Sequence, residues 1–126
     1  MSLRRILHTP AVLLSLLTLA PTAPSAAEPP QTNVPYVFVA VDSYNVKQTN
    51  QFEVTGLLLG EGTPRTILFT ASTTSAVDVS QHLSRCDRMA LMAMNKPGAY
   101  RFEVVKGIYS YEFSCRLTRT AAIPAP

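Results

Sequence analysis

Ala99-Tyr-Arg-Phe-Glu-Val-Val-Lys-Gly-Ile-Tyr-Ser-Tyr-Glu-Phe-Ser-Cys-Arg-Leu-Thr118 is the stretch on which the fold class turns. Aromatic and aliphatic residues alternate with polar ones over 100–104 and again over 109–117, a period of two that sends each set to one face of a sheet. Gly107 separates the two runs, so the spacing predicts an antiparallel hairpin with Lys106-Gly107 as a two-residue turn, although Lys is not the usual first residue there. In that register Tyr100 faces Phe113, Phe102 faces Tyr111 and Val104 faces Tyr109, with Arg101 opposite Glu112 on the other side. Tyr100, Tyr109, Tyr111 and Cys115 then all point to the core. Just upstream, Lys96-Pro97-Gly98 reads as a turn, Pro97 holding φ negative and Gly98 supplying the positive φ of a type II turn. Arg88–Met94 is expected to be the strand that enters it.

Further upstream the period changes. Ser75 and Asp78 form a helix-start signature in which each side chain can satisfy an orphan backbone N–H. Ala76, Val79, Leu83 and Cys86 then recur at steps of three, four and three, one face of a helix, which turns the Cys86 sulfur inward. Before the helix, Tyr36–Val41, Phe52–Leu59 and Thr66–Ala71 read as strands, with Gly56 as a candidate bulge. Gly60–Pro64 is a turn and Ser72–Ser75 a hydroxyl-rich loop. Residues 42–51 are polar and are expected to form a connection. The alternative is that 43–50 lengthens the first two strands into one hairpin arm, with Tyr44 and Val46 packed on neighbouring strands. The order is βββαβββ: an α+β domain, mostly antiparallel β with one helix, over residues 36–119. A small OB-like barrel or a rolled sheet fits that order, although an OB barrel has five strands and six are counted.

The ends differ in composition. Arg4-Arg5, the apolar run Ala11–Ala20 and small residues at Ser25 and Ala27 match a secretory signal peptide over 1–27. The apolar run is half of the ~20 residues needed to span a bilayer, so no membrane span is expected after cleavage. Residues 28–35 hold three prolines and are expected to be a flexible arm, and 120–126 a disordered tail. Export to the periplasm or beyond is oxidising, and the two cysteines, Cys86 and Cys115, are expected to pair.

Composition narrows the class. Hydrophobic residues make up 47% and charged residues 15% of 126, which argues against disorder and coiled coil. The net charge of +3 falls to +1 once Arg4 and Arg5 are removed with the leader, so no nucleic-acid partner is expected. The charge is uneven: residues 28–84 carry −3 and residues 85–126 carry +4. Either the halves neutralise each other or the C-terminal part presents a basic surface.

No catalytic or metal centre is expected. His82 follows Asp78 by four residues and Ser75 by seven, on adjoining helical turns, where no nucleophile can sit across the imidazole from the acid. Asp78 and His82 make only two metal ligands. Met89, Met92 and Met94 are split by strand alternation and read as core filling. Gly60-Glu-Gly62 opens no helix and is not a phosphate loop. No cofactor is implied.

Binding is the expected role. Tyr44 lies among Asn45, Gln48, Asn50 and Gln51, an aromatic face among amides that both donate and accept, which suits a polar uncharged ligand such as a sugar. The candidate contact residues are Tyr44, Asn45, Gln48 and Asn50. Val34-Pro35-Tyr36-Val37 with Val39, Glu53-Val54-Thr55, a helix and a C-terminal cysteine strand together resemble the OB-fold B-subunits of secreted bacterial toxins. The resemblance implies glycan binding and an oligomer. The reading is therefore an exported, non-catalytic binding module for a protein or glycan partner, with an accessory subunit of a larger envelope or secreted complex as the alternative.

Overall fold

One long, irregular strand gives the sheet its shape. A computed structural model describes residues 26–48, 50–72 and 80–121. The elements are β1 (Pro35–Gln48), β2 (Gln51–Leu58), β3 (Arg65–Thr70), α1 (Ser80–Asn95), β4 (Tyr100–Lys106) and β5 (Phe113–Arg119). The expected leader up to Ser25, the helix start with Ser75, Ala76, Asp78 and Val79, and the tail beyond Ala121 lie outside the described residues. All strand pairs are antiparallel, in the order β3-β2-β1-β4-β5. The fold is thus α+β, mostly β with one helix, and the sheet is open, because β3 and β5 are not paired.

Within β1 the pairing with β2 shifts between Phe38 and Ala40, Val41 and Ser43, and Val46 and Gln48, each time leaving one extra residue on β1. Such bulges bend a strand and add twist. They also reset the alternation, so Tyr36, Phe38, Val41 and Tyr44 face the core at steps of two, three and three. Gly56 pairs with Val41 between the first two shifts, and a Cβ there would run into the Ala40 carbonyl. The bulged strand is β1, and Gly56 is where its backbone comes close. The polar 42–51 segment is not a loop but the hairpin-arm alternative: Tyr44 pairs with Val54 and Val46 with Phe52. Tyr44 packs against the core, whereas Val46 is exposed.

The strand expected over Arg88–Met94 is the second half of α1, which leaves five strands among the described residues and the order βββαββ. The buried face of α1 is Leu83, Cys86, Ala90 and Ala93, so the helical spacing seen before Cys86 continues beyond it. Ala, Leu and Met favour the helix, and nothing interrupts it before the turn at Pro97 and Gly98. There the sequence expectation holds: Gly98 has φ 80°, and the Ala99 N–H donates to the Lys96 carbonyl at 3.1 Å.

The hairpin register also differs from expectation. Tyr100 pairs with Arg119, Phe102 with Leu117, Val104 with Cys115 and Lys106 with Phe113. Lys106-Gly107 is therefore not the turn; residues 107–112 form a six-residue connection. The shift is an even number of residues, so Cys115 keeps the core face. Tyr109 and Tyr111 leave the sheet altogether. On the opposite face Glu103 meets Arg116 at 2.6 Å, in place of Arg101 with Glu112.

α1 packs across β1, β4 and β5 over a core of Phe38, Phe52, Phe69 and Phe102. Rings stack from Tyr44 to Phe52 to Phe69 at 5.3 and 5.1 Å. The Cys86–Cys115 disulfide fastens α1 to β5, with Cα atoms 5.6 Å apart. The sheet rolls far enough for Phe113, at the start of β5, to bring its ring 5.7 Å from Phe52 on β2. The 28–35 arm is held rather than loose. Glu28 bonds to Thr66 and Leu68 through its N–H and carbonyl, Asn33 donates to Lys106, and Arg65 grips the Glu28 carboxylate at 2.8 and 3.1 Å. The arm thus ties the free edge of β3 to the end of β4.

Candidate binding surface

Two connections that are far apart in sequence meet at one place. At the tip of the β1–β2 hairpin, the Asn50 carbonyl accepts from the Ala71 N–H at 2.9 Å, and Asn50 Nδ2 donates to the Ala71 carbonyl at 2.8 Å. The next residue, Ser72, donates its N–H to the Ser110 carbonyl at 2.9 Å. The hairpin tip, the end of β3 and the 107–112 connection are therefore contiguous.

The 107–112 connection is closed at its base by the Gly107 N–H on the Glu112 carbonyl at 2.8 Å, and within by the Glu112 N–H on the Tyr109 carbonyl at 3.0 Å. These bonds satisfy backbone groups that the sheet no longer pairs. They also hold Tyr109 and Tyr111 face to face, centroids 5.6 Å apart and rings 5° from parallel. The pair is 56% and 38% exposed, beside the exposed Ile108. A stacked, half-solvated pair of phenols offers an apolar face edged with hydroxyls, whose geometry is already set before a ligand arrives.

The four residues expected to bind are divided by this geometry. The Tyr44 ring is in the core, stacked on Phe52 and edge-on to Phe102 at 6.4 Å. Its hydroxyl and Asp87 Oδ1 are both buried with no hydrogen-bond partner. Burial, and then the Asp87 carboxylate, push the Tyr44 phenol well above its ordinary pKa. Asn45 and Gln48 are exposed on the hairpin. The Asn50 amide joins the hairpin to Ala71. A Lys106-Gly107 turn would place Tyr109 and Tyr111 in the core; the six-residue connection puts them at the surface instead. The sign against that turn was Lys106 itself, since a two-residue hairpin turn of that kind needs positive φ at its first residue.

Other candidate chemistry is dispersed. His82 is exposed on α1, its ring edge-on to Phe113 at 6.5 Å, by a cavity of about 280 Å³ with Arg85, Met89 and Cys115. Among the described residues no group of three or more His, Cys, Asp or Glu could hold a metal ion. Met89 and Met94 pack against the core as expected, but Met92 is exposed. A cleft of about 450 Å³ runs beside the arm past Tyr36, Leu58 and Arg65. Among the described residues its one cation, Arg65, is held by Glu28 and Glu61. Comparison with protein-family models, curated proteins and solved structures found no match to this chain.

Proposed function

We propose that the chain is an exported, non-catalytic binding module for a neutral oligosaccharide. The reading rests on the stacked Tyr109–Tyr111 pair, displayed next to the amide-bearing hairpin tip. Aromatic faces pack on the C–H faces of sugar rings, while Asn45 and Gln48 supply donors and acceptors for hydroxyls. The strand pairings β1–β2, β2–β3, β1–β4 and β4–β5 support an OB-like description left open between β3 and β5. In OB folds the connections β1–β2 and β4–β5 take oligosaccharides or oligonucleotides. A mature net charge near zero favours the first. The leader-like N-terminus and the disulfide support export.

The test is titration with a panel of neutral oligosaccharides, read by amide shifts in NMR. Shifts confined to 45–51, 71–72 and 107–112, abolished by Tyr109→Ala with Tyr111→Ala, are expected. No shift with any neutral glycan, together with co-purification in a larger complex, would favour the accessory-subunit role instead.

A further inference from the structure

Four of the seven cations of residues 85–126 lie along the outer side of α1 and at the cleft beyond its end: Arg85, Arg88, Lys96 and Arg119. Opposite the buried side of α1 lie Arg85, Arg88, Leu91, Met92 and Asn95. Leu91 is 56% and Met92 49% exposed. The helix has one acid, Asp87, and that is turned to the flank beside Tyr44. At the end of the helix, Met92, Asn95, Lys96 and Tyr100 line a hollow of about 120 Å³. It shares Lys96 and Tyr100 with a cleft of about 410 Å³ completed by Arg119 and Thr120. Tyr100 and Arg119 are direct cross-strand partners. Among the described residues no carboxylate lines either cavity. Among the described residues, the ion pairs take Lys47, Arg65 and Arg116 and leave out Arg85, Arg88, Lys96 and Arg119 on this face, with Arg101 and Lys106 elsewhere on β4.

Exposed apolar side chains are ordinary when scattered, and cations are ordinary on a solvated helix. Here two large apolar residues sit between four cations that no acid among the described residues neutralises, beside a cleft with two of those cations at its rim. We propose that this face docks the protein on an anionic phospholipid bilayer. The cations are drawn to the negative surface, Leu91 and Met92 enter the headgroup–acyl boundary, and the Lys96–Tyr100–Arg119 cleft takes a lipid phosphate. α1 has 16 residues and no helix among the described residues is long and apolar enough to cross a membrane. The contact is therefore peripheral, with α1 lying along the surface. It is independent of the tyrosine pair and of what that pair binds.

Flotation of the purified protein with vesicles tests it. Binding is expected with phosphatidylcholine–phosphatidylglycerol vesicles and not with phosphatidylcholine alone. It should vanish in strong salt, as the screening length falls from about 10 Å at 0.1 M to about 3 Å at 1 M. Arg88→Glu with Lys96→Glu should weaken it at least about tenfold. Leu91→Gln with Met92→Gln should weaken it while leaving its salt dependence in place. All four side chains are exposed, so circular dichroism should be unchanged. Failure to float with anionic vesicles, or flotation indifferent to the charge reversals, would overturn the proposal. Inorganic phosphate titrated alone is the second arm. Amide shifts at Lys96 and Arg119 without vesicle binding would assign the cleft to a free phosphate. Retention on an acidic protein or nucleic-acid column without flotation would likewise rule out the bilayer.

Discussion

At Gly56 a single hydrogen atom in place of a side chain lets two strands approach. The Ala40 carbonyl occupies the space a Cβ would need, and both groups are backbone, so neither can swing aside. Gly56→Ala is expected to destabilise the domain by about 1–3 kcal/mol, in the range of overpacked sites, measured by urea unfolding. Tyr44 carries a second prediction. Its folded pKa lies above the unfolded one, because burial and the Asp87 carboxylate oppose ionisation. The associated stability is therefore complete below the unfolded phenol pKa, about 10, and is lost as pH rises beyond it. Urea melts at pH 9 and pH 11 should show this loss, and Tyr44→Phe should remove that part of it. A Tyr44→Phe protein with the same alkaline loss would refute the assignment. The aromatic character of Tyr44 was legible, but its neighbours were not. Eight polar residues around one ring look like a loop until pairing with β2 lays that ring on Phe52.

Among the elements, α1 and β5 are joined by more than packing. The cysteines are 29 residues apart, and opening a loop of that size costs about 2–5 kcal/mol in small exported domains. Cys115→Ala should lower stability by that amount, and free-thiol counting on the native protein should find none. The inward direction of both sulfurs was readable in advance, because helical and strand periods each fix a face. A register error of an even number of residues does not change it. The position of Tyr109 was not protected in that way, since an end of a strand moves when the register moves. The N-terminal arm gives an acid-side prediction. Arg65 holds the Glu28 carboxylate below its ordinary pKa, so its contribution is present above the unfolded carboxylate pKa and fades as pH falls through the folded value. Hydrogen exchange at the Leu68 amide, which donates to the Glu28 carbonyl, should quicken relative to its intrinsic, base-catalysed rate on acidification. Glu28→Gln should quicken it already at neutral pH, and an unchanged rate would mean the arm docks without the ion pair.

For the whole molecule, the exposed tyrosines separate stability from recognition. They touch little of the core, so Tyr109→Ala with Tyr111→Ala should shift the melting temperature by no more than a few degrees. Surface changes usually lie within about 0.5 kcal/mol. A large drop would mean the loop is structural. The sequence by itself determined the α+β class, three strands followed by a helix, the Pro97-Gly98 turn and the facing of Cys86 and Cys115. Each of these follows from a local period or a single residue's backbone preference. Tertiary structure alone decided how far α1 runs, since Ala90, Met92 and Met94 suit helix and strand patterns alike until the helix face finds the sheet. It alone decided the β4–β5 register, which the pairing of Phe102 and Val104 with Leu117 and Cys115 sets over the whole strand rather than at its turn. It also brought Asn50, Ala71, Ser72 and Ser110 together, a contact between segments whose meeting depends on how tightly the bulged β1 rolls the sheet.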